Sequence, residues 1–370
     1  MSSAGLSSGS APPVPSFSIV IETANLATAD PRRLTASLDS LARQDPSPAQ
    51  AREVILLDAG EAPRELLNSL RVRYPWLSLR GIAAGTDYGD QKALAVSLGS
   101  GEIIVFADSD CHYEPGCLAS FLETFRARPD VQVLAGETAV AISGPFTLAM
   151  ALVFFFPRFS CQSEIAPARG FYGNNVAFRR DVFPVCPFPS GLPIYRGQNV
   201  IYSRMLRRAG VSLWREPRAR SVHSPPEGVW AAIRRFFLTG RDTPRLARLM
   251  PTAADAPFEG DYEPYDFPGG RVRKVLKRVR DIGRQQPLRL LLLPLAVPIA
   301  VSCVASFFAG VAAERLRPSV EAGKLRQQRT GRGGFLPENA RPDAGCDGRA
   351  RSPDETRSAA AAAGAGESAG

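Results

Sequence analysis

Histidine is nearly missing from this chain, two in 370 residues, and none of its six cysteines forms a Cys-x-x-Cys pair. Cys111, Cys117, Cys161, Cys186, Cys303 and Cys346 are scattered, so neither a zinc ribbon nor a dense disulfide framework is expected, and the plain reading is reduced thiols in a cytosolic setting. Cys111 and His112 adjoin, but no second ligand pair stands near them in the sequence. No Gly-x-Gly-x-x-Gly follows the first apolar run, which disfavours a dinucleotide-binding Rossmann domain. Residues 1–16 have no basic stretch and no long apolar core; they read as a flexible leader, not as a signal peptide or membrane span.

What is present is ample apolar sequence, 45% of residues, enough for a proper core in one large domain or two ordinary ones. The net charge of +9 is compatible with a nucleic acid, an anionic membrane or a phosphate-rich substrate. Much of it lies in Arg-rich segments after Arg204, beside the most apolar part of the chain, which favours a membrane and argues against nucleic acid.

The stretch 101–110 organises the rest. Ile103 to Ala107 is apolar on both faces and ends in Asp108-Ser109-Asp110. A covered central strand of an α/β sheet looks like this, and its carboxyl end is where ligands sit. Two carboxylates one residue apart suit Mg²⁺ or Mn²⁺ bridged to a diphosphate; the alternative is a polar turn after a strand. Strands are expected at 17–21, 53–58, 77–82 and 131–140. Helices are expected to start at Asp30-Pro31, Pro63, Asp90 and Pro115, so strand and helix alternate four times in the first ~130 residues. The fold class is therefore α/β with a mostly parallel sheet.

Taken together, Ser18-Ile19-Val20-Ile21-Glu22-Thr23, Glu53 to Gly60, Lys92 through Asp110, and Gly173-Asn174-Asn175-Val176-Ala177-Phe178-Arg179-Arg180 resemble the family 2 glycosyltransferases, whose nucleotide-sugar-binding fold is called GT-A. The resemblance runs over roughly 17–223. It implies a nucleotide-diphosphate sugar as donor, with Thr23 and Asp58 at the nucleobase, Lys92 beside the nucleotide and Asp108 at the donor. It also implies a Mn²⁺ or Mg²⁺ cofactor on Asp108 and Asp110, Asn174 and Asn175 on the acceptor side, and inversion at the anomeric carbon. Two positions depart from the pattern: Glu22 stands for the usual Pro, and Ala59 for a common second acid.

A third departure bears on catalysis. Gln198-Asn199 occupies the place of the Glu-Asp pair that family members carry before a helix. An amide cannot take the proton from an attacking hydroxyl, although it can hydrogen-bond an acceptor. Gln198 and Asn199 are accordingly assigned to the acceptor side, or to a helix start capped by Asn199. Glu137 and Glu164 are candidates for a displaced base, and nothing in their spacing selects either. The resemblance also makes His223 a metal ligand, against a surface histidine following a strand.

Residues 147–156 are strongly apolar and too short to cross a bilayer, so they form either a buried or an interfacial helix. Residues 229–249 mix bulky apolar and basic side chains, as in an amphipathic helix on an anionic surface or one packed on the catalytic domain. An acidic, Pro-rich connector (253–270) and a basic cluster (271–280) lead to 287–313, long enough to span ~30 Å of hydrocarbon or, with Pro294 and Pro298, to kink or re-enter. The denser basic flank precedes this segment, placing the catalytic domain in the cytoplasm. The expected domains are 1–16 leader, 17–225 GT-A-like, 226–286 amphipathic and juxtamembrane, 287–313 transmembrane and 314–370 disordered tail. The reading is a membrane-attached glycosyltransferase acting on a lipid-linked or cell-envelope glycan. The rivals are a catalytically silent relative and a basic polyanion binder.

Overall fold

The first strand, β1 (Phe17–Glu22), is buried along its whole length, as is β4 (Ile103–Ala107) beside it. Alternation sends Val20, Ile104 and Phe106 to one face, and Ile19, Ile21, Ile103 and Val105 to the other, where two separate apolar clusters receive them. A strand with both faces covered is what a continuous apolar run requires. The structure is a computed structural model that describes residues 13–154, 156, 158–250 and 271–316. Most of the leader, the acidic connector and the tail lie outside the described residues.

In chain order the other elements are α1 (Arg32–Ala42), β2 (Val54–Asp58), α2 (Arg64–Arg73), β3 (Leu77–Gly81), α3 (Tyr88–Leu98), β5 (Cys111–Tyr113), α4 (Cys117–Ala127), β6 (Val133–Ala139) and α5 (Pro145–Val153). Then come β7 (Ala166–Pro167), β8 (Asn175–Arg179), α6 (Val182–Val185), α7 (Gln198–Arg208), β9 (Leu213–His223), α8 (Gly228–Leu249), α9 (Arg271–Gln285) and α10 (Leu293–Leu316). The sheet order is β3-β2-β1-β4-β8-β6-β9-β5, with β7 paired to β9. Its first four strands are parallel, as the strand–helix alternation expects. Beyond β4 the sheet is mixed: β8 runs antiparallel to both neighbours, and β9 is parallel to β6 but antiparallel to β5.

Helix α1 buries Leu34, Leu38 and Leu41 on one stripe, and the Asp30 carboxylate accepts the Arg32 N–H at 2.9 Å at its start. Helix α3 begins two residues earlier than Asp90, because Asp87 caps it by accepting the Asp90 N–H at 3.0 Å. Helix α5 is the buried alternative of the two open for 147–156. Leu148 to Leu152 are enclosed, and Arg278 of α9 donates to the Ala151, Leu152 and Phe154 carbonyls at its C-terminus.

Helices α8 and α10 pack closely, and the residues at their crossing are glycines. A Cβ on Gly240 would meet the Phe307 carbonyl oxygen at 2.0 Å, and one on Gly310 the Phe237 carbonyl at 2.1 Å. Three arginines of α8, Arg241, Arg245 and Arg248, converge on the fully buried Glu314 of α10 at 3.4, 2.9 and 2.7 Å. Of the two readings of 229–249, the basic stripe therefore packs on protein. On α10, Ala296, Ala300, Cys303, Phe307, Gly310 and Glu314 are inward. Leu288 and Leu291 of the 3₁₀ lead-in and Leu295, Val301 and Phe308 of α10 are exposed. The segment Pro287–Leu316 is long and apolar enough to cross a membrane.

Candidate functional site

Parallel pairing of β2, β1 and β4 sets their carboxyl ends side by side, so Asp58, Glu22-Thr23 and Asp108 emerge along one edge. Thr23 Oγ1 lies 2.8 Å from both Asp58 Oδ1 and Glu61 Oε2. Asp58 also accepts the Gly60 and Ala62 N–H groups, and Glu61 accepts that of Ala59. Glu61 thus sets a second carboxylate beside Asp58 at Thr23. The turn that brings it back passes through Gly60 at φ +93°, where only glycine sits without strain.

Asp108 is buried and heavily held. Lys92 Nζ donates to its Oδ1 at 2.8 Å and to the Ala107 carbonyl at 2.6 Å, beneath the rings of Tyr88 and Phe106. Burial acts to raise the Asp108 carboxyl, but the Lys92 ammonium outweighs it and holds the group below the usual carboxylate range. Lys92 itself is enclosed at 1% exposure, so it grips the carboxylate and presents no open face to a nucleotide. Asn25 Nδ2 lies 3.1 Å from Asp108, 3.3 Å from Asp110 and 3.3 Å from Glu22. Burial first, then the charge of Asp108, pushes Glu22 well above its ordinary value.

The last residues of β9 complete the group. Antiparallel pairing sets Cys111 opposite His223, and the Ser224 N–H donates to the Asp110 carbonyl at 2.9 Å. A ligand atom from each of Asp110, Cys111 and His223 falls within 4.8 Å of the others, all three residues being buried. His223 Nε2 stands 3.4 Å from Asp110, and its buried Nδ1 has no hydrogen-bond partner among the described residues. Burial holds the imidazole below its ordinary pKa, hence neutral, against the pull of Asp110. Asp108, Asp110 and His223, expected as a metal set, are thus brought together. Cys111 joins them, while His112 on the opposite face of β5 is exposed.

Beside this cluster opens a cleft lined among others by Asp108, Tyr172, Asn174, Arg196, Gln198, Asn199, His223 and Arg235. Helix α7 starts at Gln198 after Gly197, whose φ of +118° turns the chain inward. Asn199 does not cap the helix. Gln198 Oε1 and Asn199 Oδ1 are both buried with no hydrogen-bond partner among the described residues. Both approach closely because their neighbours lack side chains: a Cβ on Gly89 would meet Gln198 at 2.6 Å, and one on Gly173 would meet Asn199 at 2.5 Å.

Asn174 faces the cleft, with Nδ2 3.2 Å from Cys111 Sγ. Asn175 does not. Its amide donates to the Glu137 and Ala219 carbonyls, where the β6–β9 register shifts between Gly136 and Glu137, so it pins an irregular sheet. Neither displaced-base candidate lines the cleft. Glu137 is buried against the Ser160 N–H and Arg215, and Glu164 is exposed. Sequence reasoning missed Glu61, Cys111, Arg196 and Arg235. Arg196 stacks over Tyr88 at 4.5 Å and donates to Asn25 at 2.7 Å, and Arg235 lies over Phe154 at 5.1 Å.

Residues 18–184 match the family profile "Glycosyl transferase family 2". No curated protein sequence matched the chain. Among solved structures, it is similar to GalNAc-T7 with UDP, GalNAc and Mn²⁺, at 14% identity and a TM-score of 0.46, over 58% of this chain and 44% of that one. It is also similar to the mannosyltransferase PcManGT from Pyrobaculum calidifontis in complex with GDP-Man and Mn²⁺, at 16% identity and a TM-score of 0.46, over 85% of this chain and 79% of that one. The chain thus spans less than half the length of the first of these. The profile match runs from β1 through β8 and takes in the Asp-x-Asp pair at the carboxyl end of the central strand, and over that stretch, a little under half of the chain, the protein is similar to the family 2 glycosyltransferases.

Proposed function

We propose that the protein transfers a sugar, with inversion, from a nucleotide-diphosphate donor to an acceptor seated in the cleft, while attached to a membrane. The observation that carries this reading is the meeting of Asp108 and His223 at one wall of the cleft, with Asp110 behind them 3.4 Å from His223, one strand from Thr23 and two from Asp58. The donor set fits a divalent cation, Mn²⁺ or Mg²⁺: two carboxylates supply hard oxygens, and a neutral imidazole with an unsatisfied buried nitrogen stands beside them. Such an ion, when bound, neutralises the charge that gathers on a departing diphosphate.

The chain's own residues do the rest. Lys92 and Asn25 hold the Asp108 carboxylate in place, so its geometry does not depend on the ligand. Thr23, Asp58 and Glu61 form the nucleoside end, and Asn174, Gln198 and Asn199 offer amide groups to the acceptor. The apolar face of Pro287–Leu316 holds the protein to the membrane, with the catalytic domain on the cytoplasmic side and the acceptor carried by a lipid or envelope glycan. The amide at Gln198 favours a second reading, a relative that binds donor without transfer, and turnover separates the two.

Isothermal titration against UDP- and GDP-sugars, with Mn²⁺ or EDTA, tests the first reading. Binding that requires Mn²⁺ and weakens at least about tenfold in Asp110→Ala is expected. No donor bound under either condition would remove the proposal.

A further inference from the structure

Expected from sequence as a membrane span, α10 is in the fold an element of the domain itself. Its inward residues, Ala296, Ala300, Cys303, Phe307, Gly310 and Glu314, recur every three or four positions from the first turn to the last. Ala296, Ala300, Cys303 and Phe307 join the same apolar cluster as Phe106 of β4, Leu148 of α5 and Phe236 of α8. Ser306 donates to the Ile233 carbonyl at 2.8 Å, the two glycine contacts follow, and Glu314 closes the line on Arg241, Arg245 and Arg248. One side of a 24-residue helix, about 36 Å long, is therefore taken by protein.

A helix that crosses a bilayer has apolar surroundings on every side over ~30 Å. For α10 to cross, α8 would have to cross beside it. Helix α8 carries Arg234, Arg235, Arg241, Arg245 and Arg248, and its far side walls the cleft. Charge at that depth is costly, and the cleft would sit in hydrocarbon, away from a water-soluble sugar nucleotide. The outer side of α10 is of another kind. Leu295, Val297, Val301 and Phe308 are exposed, as are Leu288 and Leu291 of the lead-in, and the inward Glu314 is the single charged residue between Arg289 and Arg315. Exposed cations flank this strip: Arg289 and Arg315 toward its ends, and Lys277, Arg280 and Arg284 on α9, which meets the lead-in where a Cβ on Gly283 would lie 3.2 Å from Leu290. The single acid of α9 is Asp281, 4.0 Å from Arg280.

We infer that α10 lies in the plane of an anionic phospholipid surface, its outer side among the acyl chains and the flanking cations at the headgroups, and does not cross it. The inference rests on the membrane attachment proposed above and deepens it; it is independent of the sugar transferred. Charge complementarity commits the strip to anionic lipid, because a second copy of the chain would bring like charges to the same patch. Both ends of α10 then stay on the side of the bilayer that holds the catalytic domain.

The full chain carries its own reporters of sidedness, the exposed Cys161 before α10 and Cys346 after it in sequence. Cys161→Ser and Cys346→Ser are expressed in bacterial cells, and a membrane-impermeant maleimide is applied to spheroplasts and to inverted inner-membrane vesicles. The double variant gives the background from the buried thiols. The two cysteines are expected to label from the same face. Labelling from opposite faces would overturn the inference while leaving the attachment intact.

Purified protein is then partitioned onto sucrose-loaded vesicles of phosphatidylcholine, alone or mixed with phosphatidylglycerol. Replacing Lys277, Arg280 and Arg284 together by Gln should lower partition onto the mixed vesicles about 100-fold, at roughly fivefold per cation, and onto neutral vesicles little. Leu295→Glu with Val301→Glu, both at exposed positions, should lower partition onto either vesicle at least about tenfold. Equal partition of wild type onto the two vesicles would remove the anionic surface, and a vesicle-free dimer by light scattering that these two Glu changes dissociate would give the strip to a second copy. Failure to associate with any membrane or vesicle would instead bring down the attachment on which the inference rests. A matching melting temperature for each variant excludes misfolding as the source of a lost signal.

Discussion

Two regions of this protein bury carboxylates, and they treat them differently. At the α8–α10 crossing, Glu314 is fully enclosed and receives three arginines. At the carboxyl edge of the sheet, Asp108 has Lys92, but among the described residues Glu22 keeps one buried oxygen without a hydrogen-bond partner, and His223, Gln198 and Asn199 each keep one such buried atom. A buried polar atom without a partner costs free energy, so a fold retains several together only where a ligand completes them. The first region pairs its carboxylate with three arginines and holds helices together, although Arg245 Nε there lacks a hydrogen-bond partner among the described residues; the second leaves atoms of several different residues unpaired around a cleft.

The sharpest way to break this contrast is to remove the one strong ion pair of the second region. Lys92→Met leaves Asp108 buried and uncompensated, and a loss of about 3–5 kcal/mol is expected by denaturant unfolding. A loss under about 1 kcal/mol would mean that Asp108 does not need its lysine. Next come the two changes at the first region. Gly240→Ala drives a methyl into the Phe307 carbonyl and should cost about 1–3 kcal/mol. Glu314→Gln removes the charge shared by Arg241, Arg245 and Arg248, and should cost about 1.5–3 kcal/mol, since those arginines can turn toward water. Neither should alter metal-dependent nucleotide binding, and if either abolishes it the two regions are not separable.

A smaller effect concerns pH. The folded-state pKa of Glu22 is raised, so the wild type is most favoured below the ordinary value of 4.5 and loses stability as pH rises from there through the folded pKa. Glu22→Gln removes that loss. The variant should match the wild type near pH 4 and melt higher at pH 7; melting curves that stay parallel at both pH values would show that Glu22 is ionised in the fold. Smallest is the shift from the ligand itself: Mn²⁺ should raise the melting temperature of wild type, and of Asp110→Ala hardly at all.

The parallel half of the fold was legible because its signals are local. Apolar runs ending in Asp58 and Asp108, and the Asp30 and Pro63 helix starts, each lie within a few residues. The mixed half was less so, because β8 and β9 enter the sheet by pairings that no local pattern encodes. The site divides on the same line. Asp108 and Asp110 stand one residue apart in sequence, whereas His223 meets them only through the register of β5 and β9. Asn174 and Asn175 read alike in sequence, but strand alternation turns one to the cleft and the other into the sheet. Arg235 was hidden among the basic residues of α8, which read as one stripe. In the fold they make two, one meeting Glu314 and the other the cleft.

That division of α8 has a mechanical consequence. One side of the helix is bolted to α10 through glycines that leave no slack, and the other side is a wall of the cleft. The crossing therefore leaves little room for the two helices to slide against each other, and the helix fixed there is the one that carries Arg235 and Thr239 to the cleft.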